Sequence, residues 1–292
     1  MMVMKLTVAS CPEQAQNSVL QKAYTVLSSS TSLPLKSSTL TSIPVQLEGS
    51  PVSQHINNSS QRDEFILSLF ASVIIAVQPR TEIPNVSEIT RLFLTTLLKG
   101  HVPSAQALGS MINKFDSESK GTGISSDSML QEAIDIIFTT KLWSSHDKCV
   151  LESNGNEISF IDLCRGCLNS THLQIHAMVG LAWVGKGLLL RGHERLKDVI
   201  MILLDCLLSD GNIHALKLKH DLHHSVMKTA ADAFHLLMSD SEFCLNKTFH
   251  AIARPLYKQR LFSMMMPILE SSIKKSDSSF SRYTLPNQSY SL

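Results

Sequence analysis

Two stretches of this sequence carry residue types that could hold a metal or move a proton at close spacing. The first is Cys164-Arg165-Gly166-Cys167, followed by His172 and His176. Two thiolates and two imidazoles could complete a tetrahedral zinc site, provided that all four converge from a tight loop. Apolar residues instead recur at helical intervals from Ile158 to Leu168 and again from Leu173. That periodicity predicts Cys164 and Cys167 on one helix face as small hydrophobes. A redox pair of the thioredoxin kind needs a preceding strand, and none is expected here. The second stretch, NIHALKLKHDLHH, holds His214, His220, His223 and His224 around Asp221. Adjacent imidazoles point apart on a helix, so the expectation is an exposed loop or helix start that titrates near neutrality.

The nucleophile elbow G-x-S-x-G, a Walker loop, H-E-x-x-H and G-x-G-x-x-G are all missing from the sequence. Gly121-Thr122-Gly123 sits in a Ser-rich loop with no expected strand before it. No catalytic, cofactor-binding or metal residue is assigned, and the expectation is a protein that is not an enzyme and needs no cofactor.

The elements that would carry these residues are helices. The chain has 292 residues, 43% of them hydrophobic, enough to fill a substantial core. Aromatics at 6%, 12 Gly and 10 Pro are sparse beside the abundant Leu, Ile, Met and Ala, a mixture that favours helix over sheet. A formal charge of +1 supplies no overall field for nucleic acid or an anionic membrane. Near the C-terminal end, Arg254, Lys258 and Arg260 alternate with Leu256, Tyr257 and Leu261, which reads as a solvated helix face. Tyr257 and Phe262 are too few for a base-stacking platform, so no direct nucleic-acid binding is expected.

Helical stripes recur along the chain. They run Phe65, Ile66, Leu69, Phe70, Val73, Ile74, Val77; then Leu130, Ala133, Ile134, Ile137, Phe138; then Val199, Ile202, Leu203, Cys206, Leu207; then Val226, Ala230, Ala233, Phe234, Leu237. Burying the first stripe gains roughly 10 to 20 kcal/mol gross, and ordering its backbone costs a similar sum at about 1 to 2 kcal/mol per residue. Each such helix therefore needs neighbours.

Short connections join the helices in pairs. Val86 to Leu98 is followed by Gly100 and by Pro103, the punctuation of one helix ending and another beginning. Ala105, Ala107 and Gly109 in the second helix would allow close approach of a partner. Leu173 to Leu190, then Arg191-Gly192-His193, then Glu194 to Leu208 repeats the arrangement. Val226 to Met238 begins a third pair, continued around Phe249 and from Leu261 to Ile273. Helix pairs without intervening strands define an all-α fold, an α-solenoid of HEAT/armadillo-type helix pairs. The expected divisions are a short helical piece at 1–27, a Ser/Thr-rich loop or linker at 28–60, HEAT-type repeats at 61–281 and a tail at 282–292.

The longest strongly apolar run, Phe65 to Val77, spans only about 20 Å as a helix, short of a bilayer core. Leu173 to Leu190 is interrupted by His176 and Lys186 and reads as a buried helix. The start, MMVMKLTVASC, lacks the pattern of a secretory signal. Six cysteines scattered in apolar contexts fit a reducing compartment, cytosol or nucleus. The abrupt beginning and end read as part of a longer scaffold.

Four segments carry a family resemblance: Ala107 to Phe115 (ALGSMINKF), Ala182 to Arg191 (AWVGKGLLLR), Ala230 to Asp240 (AADAFHLLMSD) and Tyr257 to Phe262 (YKQRLF). In order over 61–281, and extending into 1–27, they resemble the methyl-methanesulfonate-sensitivity HEAT-repeat family, the nucleotide excision repair or transcription-regulator homologs, in a plant-like form. The resemblance implies a non-catalytic scaffold of the cytosolic iron-sulfur cluster assembly targeting complex, in cytoplasm and nucleus. Its implied partners are the other targeting subunits, a WD-repeat propeller and a small cysteine-bearing subunit. Its implied clients are apo iron-sulfur proteins such as DNA helicases and polymerases. Family members are several times longer, so the chain is expected to hold central repeats and to lack the C-terminal ones.

Overall fold

The computed structural model describes residues 2–30, 57–79, 81–115, 126–144, 157–167, 170–208 and 217–238. All of them fall in one compact unit, Met1–Asn246. The described elements, in order, are α1 (Met2–Ala9), α2 (Glu13–Ser30), α3 (Asn57–Ala76), α4 (Val86–Leu98), α5 (Val102–Lys114), α6 (Ser126–Phe138), β1 (Lys141–Ser144), β2 (Glu157–Ser159), α7 (Phe160–Cys164), α8 (Thr171–Arg191), α9 (Leu196–Leu208) and α10 (Lys217–Met238).

These helices form two rows. In one row α3, α5, α8 and α10 lie side by side, each packed on the next, and in the other α4 packs on α6. Across the rows α2 pairs with α3, α4 with α5, α7 with α8 and α9 with α10. A helix pair that contacts chiefly its neighbours is the unit of a HEAT-type solenoid. The punctuation acts as expected. Gly100 takes φ 89 in the α4–α5 turn, Pro103 lies in the first turn of α5, and Gly192 at φ 64 caps the end of α8.

The core follows the stripes. Ile66, Phe70, Val73 and Ile74 of α3 and Val77 just beyond it are buried, as are Ala133, Ile134 and Ile137 of α6, Val199, Ile202 and Leu203 of α9, and Ala230, Ala233 and Leu237 of α10. Phe65 departs from the expected stripe and is 60% exposed. The apolar run in α3 is wider than one face, and at 100° per residue Phe65 falls opposite the buried arc that includes Phe70, Ile74 and Val77. Helix α8 is the one described helix long and apolar enough to cross a membrane, and here it is packed between α5 and α10.

Two boundaries and one element correct the sequence reading. Helix α2 runs to Ser30 and α3 starts at Asn57, so both ends of the expected 28–60 loop are helical. The 1–27 piece is two helices, α1 and α2. An antiparallel hairpin also interrupts the helix pairs, with Lys141 opposite Ser159, Trp143 opposite Ile158 and Ser144 opposite Glu157. It seats Leu142, Trp143 and Ile158 in the core. Strands of 4 and 3 residues are too short to register as alternation. The expected helix from Ile158 to Leu168 thus shrinks to α7. Ser159 starts α7 with a reciprocal capping box, its side chain accepting from the Asp162 N–H while Asp162 accepts from the Ser159 N–H. Gly166 at φ 76 follows its end.

The tightest joint lies between α5 and α8. A Cβ at Gly109 would run into the Trp183 carbonyl, and a Cβ at Gly187 into the carbonyl of Gly109. The two backbones touch where no side chain fits. Gly109→Ala should therefore lower stability by about 1–3 kcal/mol through forced separation of the helices. Ser110→Ala, one residue along, should change it by less than about 0.5 kcal/mol. Urea-unfolding midpoints of the two variants check the pair.

Candidate interaction surface

The structure separates the cysteines of the C-x-x-C pair. Cys164 is the last residue of α7 and fully buried, whereas Cys167 lies beyond the helix end and is exposed. They do not share a helix face, because the chain turns through Gly166 between them. A strand, β2, does precede the pair, but the thiols sit at the helix C-terminus, where the dipole disfavours a thiolate. Burial pushes the Cys164, Cys167 and Cys206 thiols up. The Cys206 thiol, from α9, donates to the Cys164 carbonyl at 3.3 Å, and the Gln174 amide donates to the same oxygen at 3.2 Å. Cys164 and Cys206 thus pin α7 to α9. Among the described residues no three His, Cys, Asp or Glu converge on a common point.

His220, His223 and His224 fall in the first turns of α10. His214 and the basic residues Arg254, Lys258 and Arg260 lie outside the described residues, as do the segments around Phe249 and from Leu261 to Ile273.

Sequence periodicity missed the polar contacts that hold one repeat to the next. Tyr24 of α2 donates to Glu88 of α4 at 2.7 Å and accepts from the Asn85 amide at 2.7 Å, and burial raises its pKa. His101, the N-cap of α5, bridges Ser68 of α3 through Nε2 and Ser104 through Nδ1, each at 2.7 Å. Ser104 continues the chain to Thr96 of α4 at 2.8 Å. Burial pushes His101 below the usual histidine range, against the opposing pull of Glu64. Both ring nitrogens of His101 are occupied, linking α3 to α5 directly and α4 through Ser104.

Lys114 ends α5 with a buried amine that donates to the carbonyls of Ile74 and Ile75 at 2.6 and 2.7 Å. Such carbonyls in the last turn of a helix, α3 here, have no intrahelical partner. Beyond that end the Gln78 N–H goes to the Gln16 side chain at 2.7 Å. Two side chains distant in sequence therefore finish the α3 terminus. Only a long-range contact reveals this, since a lone Lys closing a helix reads as an ordinary exposed C-terminal charge.

One groove, of about 680 Å³, lies between α5, α6 and the α8–α9 turn and is lined by Asn113, Leu130, Gln131, Arg191, His193 and Glu194. His193 is held by the Arg195 N–H at its Nδ1, and burial lowers its pKa. At the other end of the described array, Met2, Val3 and Leu6 of α1 are exposed.

Stacked helix pairs with broad ridges, cross-braced by side chains, define an α-solenoid of the HEAT kind, a class that presents surface along its length. Residues 1–287 match the family described as RNAPII transcription regulator C-terminal. The chain is 48% identical to the MMS19 nucleotide excision repair protein homolog of Arabidopsis thaliana, over 98% of this chain and 24% of that protein. It is 38% identical to the homolog of the same name from Danio rerio, over 32% of this chain and 8% of that protein. The chain belongs to the MMS19 family. It spans about a quarter of the length of the Arabidopsis relative. The family match is to a C-terminal region, where central repeats had been expected, and it runs past residue 281 into the expected tail. No solved structure matches the chain.

Lys114 gives a test of the inter-repeat bracing. Burial pushes its amine down to about 7 from the ordinary 10.5. Below pH 7 both folded and unfolded chains are protonated at this residue, and the burial cost is constant. Between about 7 and 10.5 the unfolded chain holds the extra proton, so this group's contribution to stability rises with pH. Lys114→Met should lose that rise and, near pH 8, cost about 1–3 kcal/mol by leaving two buried carbonyls unpaired. Urea unfolding of both proteins from pH 6.5 to 9 measures the difference in slope.

Proposed function

We propose that the chain is a non-catalytic scaffold segment serving nucleotide excision repair and transcription. More finely, it presents apo iron-sulfur clients of DNA replication, repair and transcription, such as helicases and polymerases, for cluster insertion by the cytosolic assembly targeting complex. The observation that carries the reading is its 48% identity, across nearly the whole chain, to the Arabidopsis MMS19 nucleotide excision repair homolog. The architecture supports it. A solenoid binds through an extended surface, and here Tyr24, His101, Lys114 and Gln16 brace one helix against another. Placement in cytoplasm and nucleus, where the clients work, belongs to the same proposal, as do the WD-repeat propeller and the small cysteine-bearing subunit as partners.

A second reading is favoured by the name of the matched family, a transcription regulator: a direct protein adaptor that regulates excision-repair and transcription complexes. The two differ in what the chain touches. Co-precipitation of the purified chain with apo-helicase clients and with the targeting subunits is the expected outcome of the first. The second expects binding to repair or transcription subunits regardless of their cluster state. If cluster-loaded and apo clients are retained equally, the client-presentation reading fails. Direct DNA binding would show as an affinity that falls steeply with salt, and the formal charge of +1 predicts none.

A further inference from the structure

His172 and His176 stand one turn apart on α8, and their rings lie 4.4 Å apart at a tilt of 59°. Side chains at i and i+4 meet on one helix face, which brings two imidazoles within reach of a single ion. His172 is exposed and His176 half-buried. The Nδ1 of His176 is 3.0 Å from the Leu98 carbonyl. A carbonyl only accepts, so Nδ1 carries the hydrogen, and in the neutral ring Nε2 keeps its lone pair. A histidine whose far nitrogen is fixed by a backbone carbonyl is oriented as metal-ligating histidines are. The ring lies against Gly100, where a Cβ would sit 3.2 Å from Cε1 and 3.4 Å from Nε2, so a glycine there spares the imidazole a tight contact.

We propose that His172 and His176 form a two-imidazole site for a divalent transition-metal ion of the zinc or copper class. The ion is held by Nε2 of His176 and a ring nitrogen of His172. Imidazole donors suit these ions, whereas calcium and magnesium take oxygen ligands. No third His, Cys, Asp or Glu among the described residues joins the pair. Water would complete the coordination, leaving the ion able to accept a further donor from outside. The site is independent of the scaffold reading and of Cys164 and Cys167.

The test is histidine carbethoxylation by diethyl pyrocarbonate, read residue by residue by peptide mass spectrometry on the full chain, with and without Zn(II). Residue-level reading separates this pair from His220, His223 and His224. Zn(II) at saturating concentration should slow modification of His172 about tenfold or more. That protection should vanish in His176→Gln, with far-ultraviolet circular dichroism unchanged. His172→Gln, at an exposed position that leaves the fold undisturbed, should likewise remove protection from His176. Equal modification of His172 with and without Zn(II), or protection of His172 that survives in His176→Gln, would overturn the proposal.

Discussion

The structure turns on a contact between two backbones. At Gly109 of α5 and Gly187 of α8 the main chains meet with no room for a Cβ, the Gly109 carbonyl facing Gly187 and the Trp183 carbonyl facing Gly109. Close approach multiplies dispersion contacts along the helix faces, since each atom pair contributes little and the number of pairs decides the sum. It also sets the spacing from which the row α3, α5, α8, α10 is built. Any residue larger than glycine at either position would separate the helices that join the second pair to the third.

Around that joint, polar groups do what propensity does elsewhere. Lys114 and Gln16 finish the end of α3, His101 ties the start of α5 to α3 and α4, Tyr24 ties α2 to α4, and Cys206 with Gln174 ties α7 to its neighbours. Each uses a side chain of one helix to hold a side chain or backbone group of another. Because these contacts connect neighbours rather than distant segments, the array keeps the nearest-neighbour character of a solenoid.

Much of this was legible in the sequence, and for physical reasons. Burial of one face imposes a period of 3.6, so Ala133, Ile134 and Ile137 or Val199, Ile202 and Leu203 announce their helices without reference to the rest of the chain. Gly100, Pro103 and Gly192 announce the turns because their backbone constraints are local. Gly109 announced a close approach, though not that its partner would be α8. What escaped depends on the partner's position. Trp143 and Ile158 are core residues of a hairpin too short for its own period, and Phe65 belongs to a run with more apolar residues than one face can bury. The partners of Lys114 lie 40 and 39 residues away, beyond any window of periodicity. The C-x-x-C spacing was misleading for the same reason, since a capping box and a left-handed glycine set where α7 begins and ends.

Native-state hydrogen exchange in sub-denaturing urea tests the central claim most directly, because it ranks the opening free energy of each helix. If α5 and α8 form the joint, their central amides are the slowest to exchange and do so together, only by global unfolding. Amides of α1 and α10 open earlier through local steps. Slowest exchange in α1 or α10, or α5 and α8 opening separately, would contradict an array held at the Gly109–Gly187 contact.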